Sequence, residues 1–263
     1  MGFDVSYHPI KEEEIQKWYF EPLRDKEKIG ILAKEYKIEE FYKEKYVETI
    51  KAGEKVKNNE LFDVTHGYYI AVVQGFFRKY FYTRGSAFSF LIEQNNKYKE
   101  YTKNWGEIIL QEIKNPANNL ITENYCSGVF IPPENIVKLL NDYRNVEKIK
   151  MELEGYYSHN ITEFIKALNM AKENGLGLLE ATEVIEPNPL DLNSSKCYSN
   201  LFNCDPGGAI LYSEFAMGQI REIEKQNNFQ EGEITKKGEY IKTKVGEAEE
   251  NVKKGLWKKL FGK

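Results

Sequence analysis

The 263-residue sequence has few cysteines and no excess of positive charge. Its three cysteines, Cys126, Cys197 and Cys204, are too few for a disulfide framework, and their odd number favours a reducing compartment. With 37 Lys and Arg residues against 41 Asp and Glu residues, the formal net charge is −4. A dedicated nucleic-acid-binding protein normally carries a basic excess, so the composition argues against nucleic acid as a partner.

The sequence also lacks a long apolar run and a secretory signal peptide. Its most apolar stretch, residues 68–82, contains Gln74, Arg78 and Lys79. The stretch is shorter than the roughly 20 apolar residues that a membrane-spanning helix needs. The first ten residues, MGFDVSYHPI, lack the basic segment and the apolar segment of a signal peptide. These absences predict a cytoplasmic protein.

No common catalytic or cofactor-binding motif occurs in the sequence. The phosphate-binding P-loop, the dinucleotide glycine fingerprint, the zincin helix, the nucleophile-elbow serine and the Cys-x-x-Cys pair are all missing. An enzyme site can also assemble from distant residues, so the missing motifs do not exclude catalysis. Their absence nevertheless favours a protein that is not an enzyme. The sequence predicts no cofactor.

The hydrophobic pattern predicts an α+β fold that is mainly helical and contains a small mixed sheet. Residues 2–8 alternate as a strand does, and residues 12–20 and 26–58 have helical spacing. Residues 61–82 predict a buried helix with Gly75 at a close-packing point. Two strands are an alternative for 61–82, because a short apolar run fits either structure.

The second half of the chain predicts further strands and helices. A strand over 125–131 precedes a helix that is opened by Pro132, Pro133 and Glu134, because proline is tolerated in the first helical turn and an acidic residue is favourable there. A later helix ends at Gly175, where glycine adopts the left-handed conformation that stops a helix. A strand over 176–185 follows.

A long irregular segment, residues 186–208, follows that strand, and loops of this length are often functional. Beyond it, Ala209–Tyr212 predicts a strand and residues 214–227 a helix. We therefore expect a single domain over residues 1–228, then a charged linker and an amphipathic tail helix over 229–263.

The last 13 residues, NVKKGLWKKLFGK, contain five lysines and no acidic residue. Apolar side chains at near-helical spacing alternate there with basic ones: Leu256, Trp257, Leu260 and Phe261 with Lys258 and Lys259. This is the composition of a helix that lies in a membrane interface, so the tail predicts peripheral membrane contact as one alternative. Docking on the chain's own body or on a partner protein is the other. The charge is −7 over residues 1–220 and +3 over 221–263.

Two residue pairs are candidates for chemistry. Asp63 and His66 lie three residues apart at a predicted helix start, so the carboxylate could orient the imidazole for catalysis. The alternative is a capping aspartate and a core histidine. Cys197 and Cys204 are candidate zinc ligands in the 186–208 segment, although structural zinc sites prefer closer pairs and four ligands. The alternative is that both cysteines pack as small apolar side chains.

Two stretches resemble the small uncharacterised bacterial YfbM-like proteins. One is MGFDVSYHPI, and the other is SGVFIPPENIVKLLNDY followed by ITEFIKALNMAKENGLGLLEATEVI. The shared pattern is a proline-initiated helix, then a helix that ends in glycine before an apolar strand. The resemblance covers about a quarter of the chain and implies an α+β fold, with no activity to carry over.

Tyrosine is abundant, with 18 residues. Exposed tyrosine offers rigid amphipathic contact area and is enriched at recognition surfaces, although many tyrosines pack with only the hydroxyl at the rim. The sequence predicts a non-enzymatic bacterial interaction protein, of the immunity or regulatory type, whose acidic tyrosine-rich surface covers a basic partner protein. One alternative is an enzyme with a site built from Asp63, His66 and the 186–208 segment. The other is a membrane-surface adaptor that acts through its tail.

Overall fold

The computed structural model describes residues 2–109 and 113–236. The chain divides into two compact units, Met1–Tyr212 and Ser213–Lys263. The predicted tail residues all lie outside the described part: Leu256, Trp257, Lys258, Lys259, Leu260 and Phe261. Most of the predicted linker lies outside it too, so the domain boundary after residue 228 stays a prediction.

Helices make up most of the described chain. They are α1 (Glu12–Ile15), α2 (Glu21–Arg24), α3 (Glu27–Glu35), α4 (Glu40–Gly53), α5 (Tyr68–Phe77), α6 (Phe88–Gln94), α7 (Trp105–Ile109), α8 (Pro133–Asn145), α9 (Glu147–Tyr157), α10 (Ile161–Glu173) and α11 (Pro206–Gln226). Two π-helical turns, Gln16–Phe20 and Asp63–Gly67, join α1 to α2 and lead into α5. No helix in this part of the chain is long and apolar enough to cross a membrane.

Four strands form one sheet in the order β2-β1-β4-β3. They are β1 (Asp4–Ile10), β2 (Phe81–Arg84), β3 (Ser127–Ile131) and β4 (Gly177–Thr182), and two short strands, β5 (Ile185–Glu186) and β6 (Lys196–Cys197), form a separate pair. The predicted α+β, mainly helical class is confirmed. Within this sheet every neighbouring pair of strands is antiparallel, where the sequence predicts a mixed sheet.

Helices cover both faces of the four-stranded sheet. Tyr7 of β1 and Leu178 of β4 pack with α6, α8, α9 and α10 on one face. Leu179 of β4 and Phe130 of β3 pack with α3, α4, α5 and α7 on the other. Because side chains alternate along a strand, a sheet buried on both faces consists of nearly continuous apolar runs. Such runs predict a strand but leave its pairing open.

The apolar stretch 61–82 is helical over most of its length, so the helix prediction is confirmed there over the two-strand alternative. The helix ends at Phe77, and the last residues form β2. The close-packing role of Gly75 is also confirmed. A Cβ at this position would lie 2.4 Å from Oγ of Ser199, so the segment around Ser199 reaches α5 only because residue 75 lacks a side chain.

The predicted strand over Ala209–Tyr212 is wrong, because these residues belong to α11. The helix starts earlier for a local reason. Pro206 occupies its first position, and Oδ1 of Asp205 accepts the backbone N–H of Gly207 at 3.0 Å. A proline at the first position preceded by a capping aspartate is a strong helix start, and it overrides the short apolar run that follows.

In the second unit, the end of α11 is held by Glu224. Its carboxylate accepts the backbone N–H groups of Gly232, at 2.9 Å, and of Ile234, at 2.8 Å. These bonds explain why a charged side chain is buried there.

Candidate functional site

Asp63 and His66 do not form the predicted pair. The Asp63 carboxylate accepts backbone N–H groups of Asn118, at 2.6 Å, and Asn119, at 3.2 Å. Nδ1 of His66 instead lies 2.7 Å from the Tyr19 hydroxyl. Both residues are described, and no hydrogen bond joins them. The two residues are close in sequence, but Asp63 bonds to the segment before β3, whereas His66 bonds to Tyr19 in the π-helical turn after α1.

Burial shifts the pKa of both side chains in the direction that favours the neutral form. It raises the pKa of Asp63 to about 6, although the amides of Asn118 and Asn119 oppose the shift. It lowers the pKa of His66 to about 4, so the imidazole is neutral near pH 7. Asp63 and His66 do not line either of two pockets of the structure, one between α4, α5 and β6 and the other at the β3 edge of the sheet.

The 186–208 segment packs on α5 and β2. The Ser199 hydroxyl donates to the Val72 carbonyl oxygen at 2.6 Å, and the Asn203 amide donates to that of Gly75 at 2.9 Å. The backbone N–H of Tyr80 donates to the Asn203 carbonyl oxygen at 2.9 Å. This segment therefore covers the core, and one end of it forms a wall of the pocket between α4, α5 and β6.

Cys197 and Cys204 lie in a small apolar cluster with Tyr80. The Tyr80 hydroxyl is 3.3 Å from Sγ of Cys197. Burial raises the pKa of both thiols, which disfavours the thiolate that binds metal. Within residues 2–109 and 113–236, no group of three or more His, Cys, Asp or Glu side chains is placed to hold a metal ion.

Most tyrosines are inside the fold. Ten of the 18 are buried: Tyr7, Tyr19, Tyr42, Tyr46, Tyr68, Tyr80, Tyr82, Tyr98, Tyr101 and Tyr157. Two described tyrosines are strongly exposed, Tyr125 at 40% and Tyr198 at 41%, and they are neighbours. Among the described tyrosines, the two most exposed rings therefore lie together in one place.

That place is an open groove of about 440 Å³ between α4, α5 and β6. We call it the tyrosine groove, and its lining residues are Lys45, Glu48, Thr49, Ala52, Tyr68, Tyr69, Val72, Cys197 and Tyr198. The Tyr125 ring contacts both Tyr68, at 5.9 Å, and Tyr198, at 5.6 Å, and is nearly perpendicular to each. Edge-to-face packing of this kind fixes the rings relative to one another.

The backbone beside the groove is strained at two residues. Tyr125 has φ 58° and Glu183 has φ 54°, in the left-handed region that non-glycine residues avoid. The Glu183 carboxylate accepts the backbone N–H of Tyr125 at 3.2 Å and that of Asp4 at 3.1 Å. Its own carbonyl oxygen accepts the Tyr68 hydroxyl at 3.3 Å. One buried glutamate therefore ties the start of β1, Tyr125 and the groove wall together.

Further contacts hold the walls of the groove in place. Nζ of Lys45 on α4 donates to the Cys197 carbonyl oxygen at 3.2 Å. The Tyr125 hydroxyl donates to the Glu186 carboxylate at 3.0 Å. Because both bonds link separate elements, the groove does not depend on a single flexible loop.

Exposed apolar side chains extend the surface beyond the groove along α4 and the 186–208 segment. Phe41 is 60% exposed and lies beside Tyr42, with ring centroids 5.1 Å apart. Tyr42 reaches the Leu201 backbone, and Leu201 and Phe202 are 42% and 84% exposed. Clustered exposed apolar residues of this kind mark interaction sites more often than isolated ones do.

The sequence pattern missed two features of the structure. It did not bring Tyr125 and Tyr198 together, because they are distant in sequence and meet only through the fold. It also missed Glu180, a carboxylate buried in β4. A single acidic residue inside the apolar stretch GLLEAT was the available signal for Glu180.

Comparison with known proteins finds no match: no family model fits the chain, and no curated protein or solved structure is similar to it. The resemblance to the YfbM-like proteins therefore stays a prediction.

Proposed function

We propose that the chain is a non-enzymatic binding protein that recognises a partner protein through the tyrosine groove. The carrying observation is that Tyr125 and Tyr198 are exposed and yet fixed by their mutual edge-to-face contact. Rigid exposed tyrosines give a large contact area and lose little conformational entropy on binding. Strained backbone, such as that of Tyr125, is concentrated at functional sites because surrounding contacts must maintain it.

The partner surface that fits this groove is basic. Residues 1–220 carry a net charge of −7, which attracts a basic partner and speeds association. Tyrosine rings also bind Lys and Arg side chains over their faces. The chain itself uses this contact elsewhere, where Arg84 lies 4.9 Å from the ring centre of Tyr212.

The location and the biological role belong to the same proposal. Cys126, Cys197 and Cys204 are free thiols, which supports a reducing compartment such as the cytoplasm. The resemblance to the bacterial YfbM-like proteins supports a bacterial origin, and the acidic charge of residues 1–220 supports an immunity-type or regulatory role. The tail, on which membrane contact depends, lies outside the described residues, so that alternative stays a prediction.

Binding is favoured over catalysis by the state of the candidate catalytic pair. A general base acts best when its pKa lies near the working pH, and burial lowers the pKa of His66 to about 4. Asp63 is occupied by backbone N–H groups and does not orient the imidazole.

Site-specific photo-crosslinking in the native host tests the proposal. A photoreactive amino acid replaces Tyr198 in the full chain, and a matched probe replaces Met151, an exposed residue on α9. We expect one stoichiometric adduct with a basic protein at Tyr198 and none with that protein at Met151.

A second substitution in the same chain keeps the test specific. Thr49→Arg fills the groove from α4, and arginine is a good helix former at a half-buried position. The Tyr198 adduct should disappear in this variant while the melting temperature stays unchanged. Equal adducts at both probe positions, an adduct that survives Thr49→Arg, or no adduct would contradict the proposal.

A further inference from the structure

A second pocket lies at the β3 edge of the four-stranded sheet. It has a volume of about 140 Å³, and we call it the amide pocket. Its floor is apolar, formed by Ile92, Leu120 and Val129. Its rim is polar and is supplied by the turn after α6, the residues before α7 and the segment before β3: Asn96, Lys99, Thr102, Asn104, Asn118 and Asn119.

Several rim groups keep hydrogen-bonding capacity. Lys97, on the same turn, pairs with Glu152 at 2.6 Å, whereas Lys99 forms no ion pair within the described residues. The side-chain amides of Asn96 and Asn118 likewise have no hydrogen-bond partner in residues 2–109 and 113–236. One cation and two amides therefore remain available to a ligand.

Two other rim residues are fixed by their own contacts. Oδ1 of Asn119 accepts the backbone N–H of Trp105 at 2.5 Å, which leaves its amide nitrogen as a donor. The Thr102 hydroxyl donates to the Lys99 carbonyl oxygen at 2.9 Å, which leaves its oxygen as an acceptor. Because these bonds set the orientation of both groups, the rim presents donors and an acceptor in defined positions.

Size and charge restrict the ligand. The volume of about 140 Å³ is well below the roughly 300–1,000 Å³ of pockets that bury a drug-sized ligand, so the pocket suits a smaller molecule. The described lining contains one positive charge, no acidic side chain and no aromatic ring. A single negative charge therefore fits better than a cation or a sugar, which would call for carboxylates or stacking rings.

We propose that the amide pocket binds a small hydroxycarboxylate, with one carboxylate, one hydroxyl group and a short apolar part. The carboxylate pairs with Lys99 and accepts from the asparagine amides. The hydroxyl group donates to Thr102, and the apolar part rests on Ile92 and Val129. This site is separate from the tyrosine groove and does not depend on partner binding.

Titration of the ¹⁵N-labelled full chain, followed by two-dimensional NMR, tests the site. The probe is sodium L-lactate, and the control is L-lactamide, which has the same shape and no charge. We expect saturable shifts at Asn96, Asn118 and Asn119 with lactate. Lactamide should bind about tenfold more weakly, because it loses the charge-assisted bond to Lys99.

Two lysine variants complete the experiment. Lys99→Gln should weaken lactate binding about tenfold, whereas Lys97→Gln, on the same turn, should leave it unchanged. The NMR spectrum itself shows whether each variant is folded, and Asn96→Ala provides a second weakening variant if Lys99→Gln is not. Absence of saturable shifts, shifts outside the pocket, equal binding of lactamide, or equal loss in both lysine variants would overturn the proposal.

Discussion

The Glu183 carboxylate accepts the backbone N–H of Tyr125 at 3.2 Å, and both residues have a left-handed backbone, with φ of 54° and 58°. A non-glycine residue in this region costs about 1–2 kcal/mol. The fold keeps this cost at two residues in direct contact, and one of them places an exposed ring beside the tyrosine groove. We infer that the hydrogen bond between Glu183 and Tyr125 fixes the position of the Tyr125 ring.

Replacing Tyr125 should separate stability from binding. In Tyr125→Asn the left-handed backbone is better tolerated, because asparagine adopts this region more readily. The lost ring contacts offset that gain, so we expect the free energy of unfolding to change by no more than about 1 kcal/mol. Partner affinity should fall about tenfold or more, as for an aromatic hot-spot residue. Urea unfolding and calorimetric titration measure the two effects.

Ser158→Gly is the matched control for relief of strain. Ser158 also has a left-handed φ, of 48°, and lies between α9 and α10. Glycine removes the steric cost at no loss of a large side chain, so stability should rise by up to about 1 kcal/mol. Partner affinity should stay as in the wild type. A loss of affinity in this control would show that a change outside the groove weakens binding, which would contradict the role assigned to Tyr125.

Gly75→Ala should loosen the segment that carries Tyr198. The new Cβ would lie 2.4 Å from Oγ of Ser199 and 3.1 Å from Cδ1 of Tyr80. We expect a loss of about 1–3 kcal/mol in the free energy of unfolding, as for overpacking of a core. Gly155→Ala, where the new Cβ would meet no atom of another part of the fold within 4 Å, should instead stabilise α9 by roughly 0.5–1 kcal/mol. Thermal or urea unfolding of both variants decides the sign.

Glu180 should make stability depend on pH. Its carboxylate accepts backbone N–H groups of Phe88, Ser89 and Val129, but burial dominates and raises its pKa from 4.5 to about 7. The folded chain therefore binds more protons than the unfolded chain between these two values. Glu180 should lower the free energy of unfolding by up to about 3 kcal/mol as pH rises from about 4.5 to 7.

Urea unfolding of the Glu180→Gln variant across this pH range isolates the effect. The free energy of unfolding of the wild type should fall relative to that of the variant as pH rises, because only the wild type carries the titrating carboxyl. Glu93→Gln, at an exposed position on α6, is the matched control and should leave the pH profile unchanged. A difference that stays constant over the range would show that Glu180 does not titrate there.

His8 and His66 should both resist protonation. His8 stacks on Tyr80 at 5.0 Å and contacts Gln74 and Ser6, and burial lowers the pKa of each histidine to about 4. The folded chain then binds fewer protons than the unfolded chain between about 4 and 6.5, so stability should fall as pH falls through this window. NMR titration of the imidazole protons should give both midpoints near pH 4. A midpoint near 6.5 for His66 would reopen the catalytic interpretation.

The sequence predicted the local features of the fold well, because they depend on neighbouring residues. Pro133 opens α8, and Gly175 ends α10 with φ 61°, as expected from proline and glycine geometry. Ala209–Tyr212 was misassigned because a helix start three residues upstream decides its conformation. Local signals therefore work where the nearest capping residue is included in the pattern.

The candidate site could not be predicted in the same way. Asp63 and His66 are close in sequence, but tertiary contacts with Asn118 and Tyr19 separate their functions. Tyr125 and Tyr198 are far apart in sequence and meet across separate elements. Composition indicated abundant tyrosine, but only burial shows which tyrosines remain for recognition.

The most direct test of the tyrosine groove is a calorimetric titration. The partner protein that crosslinking identifies is purified without the crosslink and titrated into the wild-type chain and into the Thr49→Arg variant. The account predicts one-to-one binding to the wild type, weakened by added salt because charge complementarity contributes to it. It predicts a loss of about a hundredfold or more in Thr49→Arg, with an unchanged melting temperature, because the arginine occupies the groove. Equal affinity of the two chains for the partner would contradict the account.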